Sequence, residues 1–193
     1  MPNQPNAGPT RSWSTLVSGS DGTSGRPIKT DTSGRTDLAP VGYGGAIISI
    51  TRAANQTPYT ANDVVGGAVD LGIVGPSAGR VLVQSIILEP RIAAVPAGMA
   101  NMRLALYTVT PPSAIADNGA WTLADADLAS FVGLIDLGKP TAQGPTLYVH
   151  KVNIGLEVLL AGTNLFAYLI TDVGYTPAAN SEVYALLMAT AAV

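Results

Sequence analysis

Residue types that carry chemistry are sparse in this 193-residue chain. There is one histidine, His150, beside Lys151 in a stretch that alternates like a strand. A general base needs a positioned partner and a pocket. The neighbouring residues supply neither, so His150 reads as a surface or interface side chain. Asp125 and Asp127 form an Asp-x-Asp pair. Calcium loops use such pairs but need several more oxygen ligands at fixed spacing, and none follows. The pair instead suits the N-terminus of a short helix, where negative charge complements the backbone dipole. Asp117-Asn118-Gly119 is turn chemistry. Gly42-Tyr43-Gly44-Gly45 lacks the flanking strand and helix of a phosphate loop and reads as a hinge. With no cysteine, there is no thiolate ligand, cysteine nucleophile or disulfide. This inventory predicts no enzyme, no cofactor and no metal site.

The elements that would hold these residues are strands. From Ala46 onward, short apolar runs alternate with turn signals rich in Gly, Pro, Asn and Asp. Ala46–Arg52, Ala68–Val74, Gly79–Ile92, Met102–Val109, Val132–Leu137, Leu147–Ile154, Leu165–Thr171 and Val183–Ala191 read as strands. Gly66-Gly67 bounds the second of them. In the third, Val81, Val83, Ser85 and Ile87 share a face, with a polar break at Glu89-Pro90. Only Ala124–Phe131 looks helical, for one or two turns after an N-cap at Thr122. About eight short strands without alternating helices predict an all-β, antiparallel sandwich of jelly-roll type over residues 45–193.

Residues 1–44 have a different texture, rich in Gly, Ser, Thr, Pro, Asn and Asp. Such a segment cannot bury enough apolar surface to offset the entropy of ordering. Trp13, Leu16, Val17 and Ile28 stand singly within it, like anchors for a partner surface. A solvated tail has no use for an indole, so the segment reads as an extended N-terminal arm that orders against a neighbouring subunit. Its four basic residues, Arg11, Arg26, Lys29 and Arg35, face three aspartates, Asp21, Asp31 and Asp37.

Composition narrows the partners. Apolar residues make up 47% of the chain and charged residues 12%, about half the usual share of charge. A surface so poor in charge predicts extensive contact with other protein chains, including a small cyclic homo-oligomer such as a trimer. A net charge of −3 argues against nucleic acid as the partner. No run of about 18 apolar residues suggests a membrane span, and no N-terminal basic-plus-apolar segment suggests a signal peptide.

Two segments carry a family resemblance. The first is TRAANQTPYTANDVVGG at 51–67, with Arg52 after a strand, the polar link residues Asn55 and Thr57, then Tyr59, Thr60, Asp63 and Val64-Val65. The second is AGTNLFAYLITDVGYTPAANSEVYALL, with a strand at Leu165–Ile170, a turn at Tyr175-Thr176-Pro177, and Glu182 and Tyr184 opening the last strand. Both resemble structural proteins of tailed bacteriophages. Taken by itself, the first motif is a sandwich corner: Pro58 and the Asx-rich link fix a turn, Tyr59 caps the core, and Asp63 accepts backbone N–H groups. The resemblance implies a virion component on the capsid surface. It fits best a decoration (cement) protein bound to the major capsid protein or other virion subunits. A tail, baseplate or head-fibre subunit is the alternative. A carbohydrate-binding jelly roll, with Trp121, Asp117 and Asn118 as its loop cluster, is another.

Overall fold

The computed structural model describes residues 47–193, together with the backbone of Gly19–Ser20, Gly25–Arg26 and Gly42–Gly44. Residues 1–39 and 40–193 separate into two units. Of the first, the described part is a backbone pair, β1 (Gly19–Ser20) antiparallel to β2 (Gly25–Arg26). Trp13, Leu16, Val17 and Ile28 lie outside the described residues.

The second unit is an antiparallel sandwich of two sheets. Its strands are β3 (Gly42–Gly44), β4 (Ile48–Thr51), β5 (Val64–Ile73), β6 (Arg80–Pro90), β7 (Met102–Tyr107), β8 (Phe131–Gly138), β9 (Thr141–Ala142), β10 (Leu147–Lys151), β11 (Leu156–Leu159), β12 (Asn164–Thr171) and β13 (Val183–Ala192). Five pairings define the topology: β4 with β13, β5 with β12, β6 with β10 and with β11, and β7 with β8. They describe one long hairpin folded about the β7–β8 connection. Rolling that hairpin brings β6 against β13 and β7 against β12. The first sheet then runs β4–β13–β6–β10 and the second β5–β12–β7–β8, which is the double Greek key of a jelly roll.

The eight expected strands are all present, and the differences have local causes. Gly66 and Gly67, read as a boundary, lie inside β5, where both take positive φ and form a bulge opposite Tyr168 and Leu169. In β6 the register jumps between Ser85 and Val83, leaving Gln84 as the extra residue. Burial therefore passes from Val81 and Val83 to Ile86 and Leu88, and Ile87 points outward rather than sharing the face of Val83. Leu156–Leu159 is a strand that the sequence reading omitted. Gly42–Gly44 is not a free hinge, because it pairs with Ala189–Ala191 of β13. The expected helix shrinks to a 3-10 turn at Asp125–Asp127 capped by Ala124, not Thr122, and Phe131 belongs to β8. Among the described residues no helix is long and apolar enough to cross a membrane.

The main core lies between the inner faces, with Val83, Ile86, Leu88, Leu147 and Leu186 from one sheet meeting Leu71, Leu104, Leu106, Ile135 and Leu169 from the other. A second cluster covers the outer face of the β5–β12–β7–β8 sheet. There Val64, Ala105, Tyr107, Tyr168 and Ile170 pack beneath Ile115, Trp121 and Leu123 of the long β7–β8 connection. Burial on both faces explains why β7 and β12 read as continuous apolar runs rather than alternating ones.

The β5 bulge is sterically exacting. A Cβ on Gly66 would sit 2.3 Å from Ile50 Cγ2, at a φ of +78°. Gly66→Ala should therefore cost about 2–4 kcal/mol, from left-handed strain plus overpacking. Urea unfolding will measure it, and a loss within ~0.5 kcal/mol of zero would show that the bulge relaxes freely.

Candidate functional site

The two segments singled out in the sequence meet at one corner of the sandwich. The link after β4 runs beside the link before β13, tied by Arg52 N–H to the Glu182 carbonyl (3.0 Å), Tyr59 N–H to the Tyr175 carbonyl (2.9 Å) and Asn62 N–H to the Thr171 carbonyl (2.9 Å). Asn55 Oδ1 accepts from Thr57 N–H at 3.0 Å, which makes the expected Asx turn. Asp63, buried, accepts from the Thr60 hydroxyl at 3.1 Å and from the Thr60 amide. The corner reading of this motif therefore holds at atomic level.

Within that corner lies a network of ionisable side chains. Arg52 is 2% exposed and Glu182 4%. Arg52 Nε donates to the Tyr59 hydroxyl, which donates to Asp117 Oδ1 at 2.6 Å. Asp117 also accepts from Gly66 N–H (2.8 Å) and Ala53 N–H (3.1 Å). On the other side Arg52 Nη1 donates to the carbonyls of Asn55 and Ala179 and stands 3.9 Å from Glu182 Oε2. Glu182 accepts from the Ala178 and Ala179 amides (2.6 and 3.0 Å) and from the Tyr184 hydroxyl (2.8 Å). The Tyr175 hydroxyl lies 2.7 Å from that of Tyr184. Arg52 Nη2 is buried without a hydrogen-bond partner.

The electrostatics follow from burial and pairing. Burial pushes the Tyr59 hydroxyl pKa up, and its bond to Asp117 pushes the same way against the opposing Arg52. Burial likewise raises Tyr175 and Tyr184. Burial alone would raise Asp117, but the Tyr59 hydroxyl, the Gly66 and Ala53 amides and the Arg52 charge outweigh it and hold the carboxyl below its usual range. Arg52 is held more firmly protonated despite burial, chiefly through Tyr59. Each carboxylate accepts three hydrogen bonds, and burial keeps the Tyr59, Tyr175 and Tyr184 hydroxyls neutral. The arrangement works as a clasp joining the 53–63, 117–119 and 172–182 loops.

The remaining candidates are scattered. His150 is exposed on β10, its ring 6.2 Å from that of Tyr148. Asp127 is not a helix-dipole charge: it is buried in a single 3-10 turn, too short to build a macrodipole, and accepts from Ser113 N–H at 3.0 Å. Trp121 donates its indole N–H to the Tyr107 hydroxyl at 3.1 Å and packs near Phe131, so it serves the second core cluster. Asn118 takes a φ of 63°, as turn chemistry expects. Asp117, read as a turn residue and as a member of the alternative Trp121 loop cluster, is the hub that sequence reasoning missed. The available signal was physical, since an arginine destined for burial requires a carboxylate from elsewhere in the chain. Among the described residues no group of three or more His, Asp or Glu gathers as metal ligands would.

No protein-family model matches the chain, and no curated protein matches it. Among solved structures it is similar to that of the infectious bursal disease virus Gx strain, at 11% identity over 87% of this chain and 45% of the other, with a TM-score of 0.18. It is also similar to the structure of the T13 infectious bursal disease virus particle, at 14% identity over 87% and 44%, with a TM-score of 0.16. The chain thus spans under half the length of these proteins. TM-scores this low establish no shared fold, and the jelly-roll assignment rests on the strand pairings alone.

Arg52→Met should destabilise the fold by about 3–5 kcal/mol, because it leaves Asp117 and Glu182 enclosed without their cation. A loss below ~1 kcal/mol in urea unfolding would show that the guanidinium is dispensable. The tyrosines predict an alkaline limit. An unfolded tyrosine loses its proton near pH 10, whereas the folded values are raised. Their contribution is therefore full below about pH 10 and is lost as pH rises toward the folded values. Asp117 has the opposite sign: its contribution is present above about pH 4 and is lost as pH falls through its lowered value. Circular dichroism and tyrosinate absorbance followed together should show ionisation and unfolding coinciding. Full ionisation with the fold intact would contradict the enclosure of these hydroxyls.

Proposed function

We propose that this protein is a non-enzymatic structural component of a virion, and specifically a decoration or cement protein that binds an assembled capsid shell. The observation that carries the reading is the outer face of the β4–β13–β6 sheet. Ile47 is 63% exposed there, and with Ile87, Ala185 and Leu187 it lines a shallow apolar depression bordered by Glu89. Elsewhere on the sandwich Ile73 is 63% exposed, Leu159 58% and Leu134 42%. Single exposed apolar residues are ordinary, but an apolar sheet face on a chain with 12% charged residues is what a subunit contact requires. The jelly-roll topology recurs in viral shells and in lectins, and Trp121 is engaged in packing, which favours the shell.

In this reading the sandwich seats on the major capsid protein or a neighbouring virion subunit. The 1–44 segment, through Trp13, Leu16, Val17 and Ile28, engages a second subunit. Two linked contacts raise the effective concentration of the second, so avidity exceeds either alone. Binding only the assembled shell stabilises the shell by mass action. A small cyclic homo-oligomer, such as a trimer, would multiply both effects.

Empty particles can be decorated with full-length protein, with a form lacking residues 1–39, which keeps β3 beside β13, and with Trp13→Ala. The truncated form should remain folded but show lower occupancy and a lower temperature of particle disruption. Trp13→Ala should show part of that loss, since a buried aromatic anchor typically carries at least ~2 kcal/mol. Equal decoration by all three would remove the arm from the mechanism. Failure of the full chain to bind shells would overturn the cement reading.

A further inference from the structure

We propose that the outer end of the β5–β12–β7 sheet carries a binding site for a neutral saccharide, separate from the apolar face of the other sheet. Strand register sets a row of side chains across this sheet. Asp70 on β5 stands opposite Phe166 on β12, which stands opposite Tyr107 on β7, which stands opposite Phe131 on β8. Residues directly opposite in an antiparallel pair project from the same face. The β7–β8 connection roofs Tyr107, which is fully buried. Phe166, next in the row, is only half-buried. Its ring lines an open groove of about 410 Å³ with Thr108, Val109, Thr110, Thr163 and Asn164.

The polar groups at this groove are held in place before any ligand arrives. Asn164 Nδ2 donates to both Asp70 carboxylate oxygens at 3.0 Å. Gly72 N–H donates to Asp70 Oδ1 at 2.8 Å, and the Thr163 hydroxyl donates to Asn164 Oδ1 at 2.8 Å. Asp70 itself is exposed, and a carboxylate has more acceptor sites than these bonds use. Fixing the groups in advance lowers the ordering cost of binding.

This combination selects the ligand class. A half-exposed aromatic ring suits the C–H face of a pyranose. A fixed carboxylate, an amide and the hydroxyls of Thr108, Thr110 and Thr163 suit its hydroxyl groups, as acceptors and donors side by side. Among the described residues no lysine or arginine lines the groove, and Asp70, bonded to its lining residue Asn164, adds negative charge beside it. Sialic and uronic acids, phosphates and nucleic acids are therefore disfavoured. A purely apolar ligand would leave the polar groups unpaired.

Saturation-transfer NMR on the full chain, with the methyl glycosides of glucose, galactose, mannose and N-acetylglucosamine, provides the test. Glucuronic acid and N-acetylneuraminic acid serve as anionic controls. At least one neutral glycoside should bind in the millimolar range and the two acids should not. Asp70→Ala and Asn164→Ala, both at exposed or half-exposed sites, should keep the thermal transition and weaken binding roughly tenfold or more, a loss of about 1.4 kcal/mol. Phe166→Leu should abolish saturation transfer to the sugar ring protons. Absence of binding by every neutral glycoside would overturn the proposal, as would binding unchanged in all three variants. Particle decoration is unaffected by either outcome, so this site and the cement role fail independently.

Discussion

A positive charge buried at the corner of a β-sandwich constrains everything around it. Arg52, 2% exposed, cannot reach water and must find its partners within the protein. The chain supplies them from distant places: the Tyr59 hydroxyl, the carbonyls of Asn55 and Ala179, and the Asp117 and Glu182 carboxylates around them. Those carboxylates are buried or half-buried in turn, and backbone amides of Ala53, Gly66, Ala178 and Ala179 complete their hydrogen bonds. One cation thereby fixes three loops. Ion pairs of this kind contribute little net stability, because desolvation offsets most of the attraction. Their effect is on uniqueness, since an alternative loop arrangement would strand a charge.

The clasp also sets the geometry of the sheets. Asp117 reaches Gly66 across the bulge in β5, and Gly66 must lack a Cβ because Ile50 of the opposite sheet comes close. The β7–β8 connection that carries Asp117 then lies over the outer face of its sheet. Tyr168 receives the Ile115 amide and donates to the Ser113 carbonyl, and Trp121 donates to Tyr107. That roof buries a second apolar cluster and ends near Phe166. The two sheets consequently differ in character: one is buried on both sides along its central strands β7 and β12, while the other keeps an outer face with Ile47, Ile87 and Leu187.

Asymmetry of this sort suits a protein that works by contact. The clasp and the two cores take up Arg52, Asp117, Glu182, Tyr59, Tyr107, Tyr168, Tyr175 and Tyr184, while His150 stays exposed on β10. What remains on the outside is an apolar sheet face and, at the other sheet's end, a small polar groove with one aromatic ring. They differ in chemistry and lie on different sheets, and we propose each as a recognition surface.

Sequence alone determined the fold class, because strand identity is encoded locally. Short β-branched and apolar runs broken by Gly, Pro and Asn mark strands wherever they occur, and eight such runs sufficed to predict the jelly roll. It also picked out Arg52, Tyr59 and Asp63 in a corner motif, and Tyr175, Glu182 and Tyr184 in a second segment around the last strand. Tertiary structure alone decided that these motifs are one site, since the pairing of β4 with β13 is a contact between residues more than 130 positions apart. It likewise decided the hub: Asp117 looks like any turn aspartate until the fold sets it against Tyr59, 58 positions away. The bulges at Gly66-Gly67 and Gln84 escaped for a related reason. A single extra residue reverses which side chains face inward, and whether the partner strand accommodates it is settled across the sheet rather than along the chain.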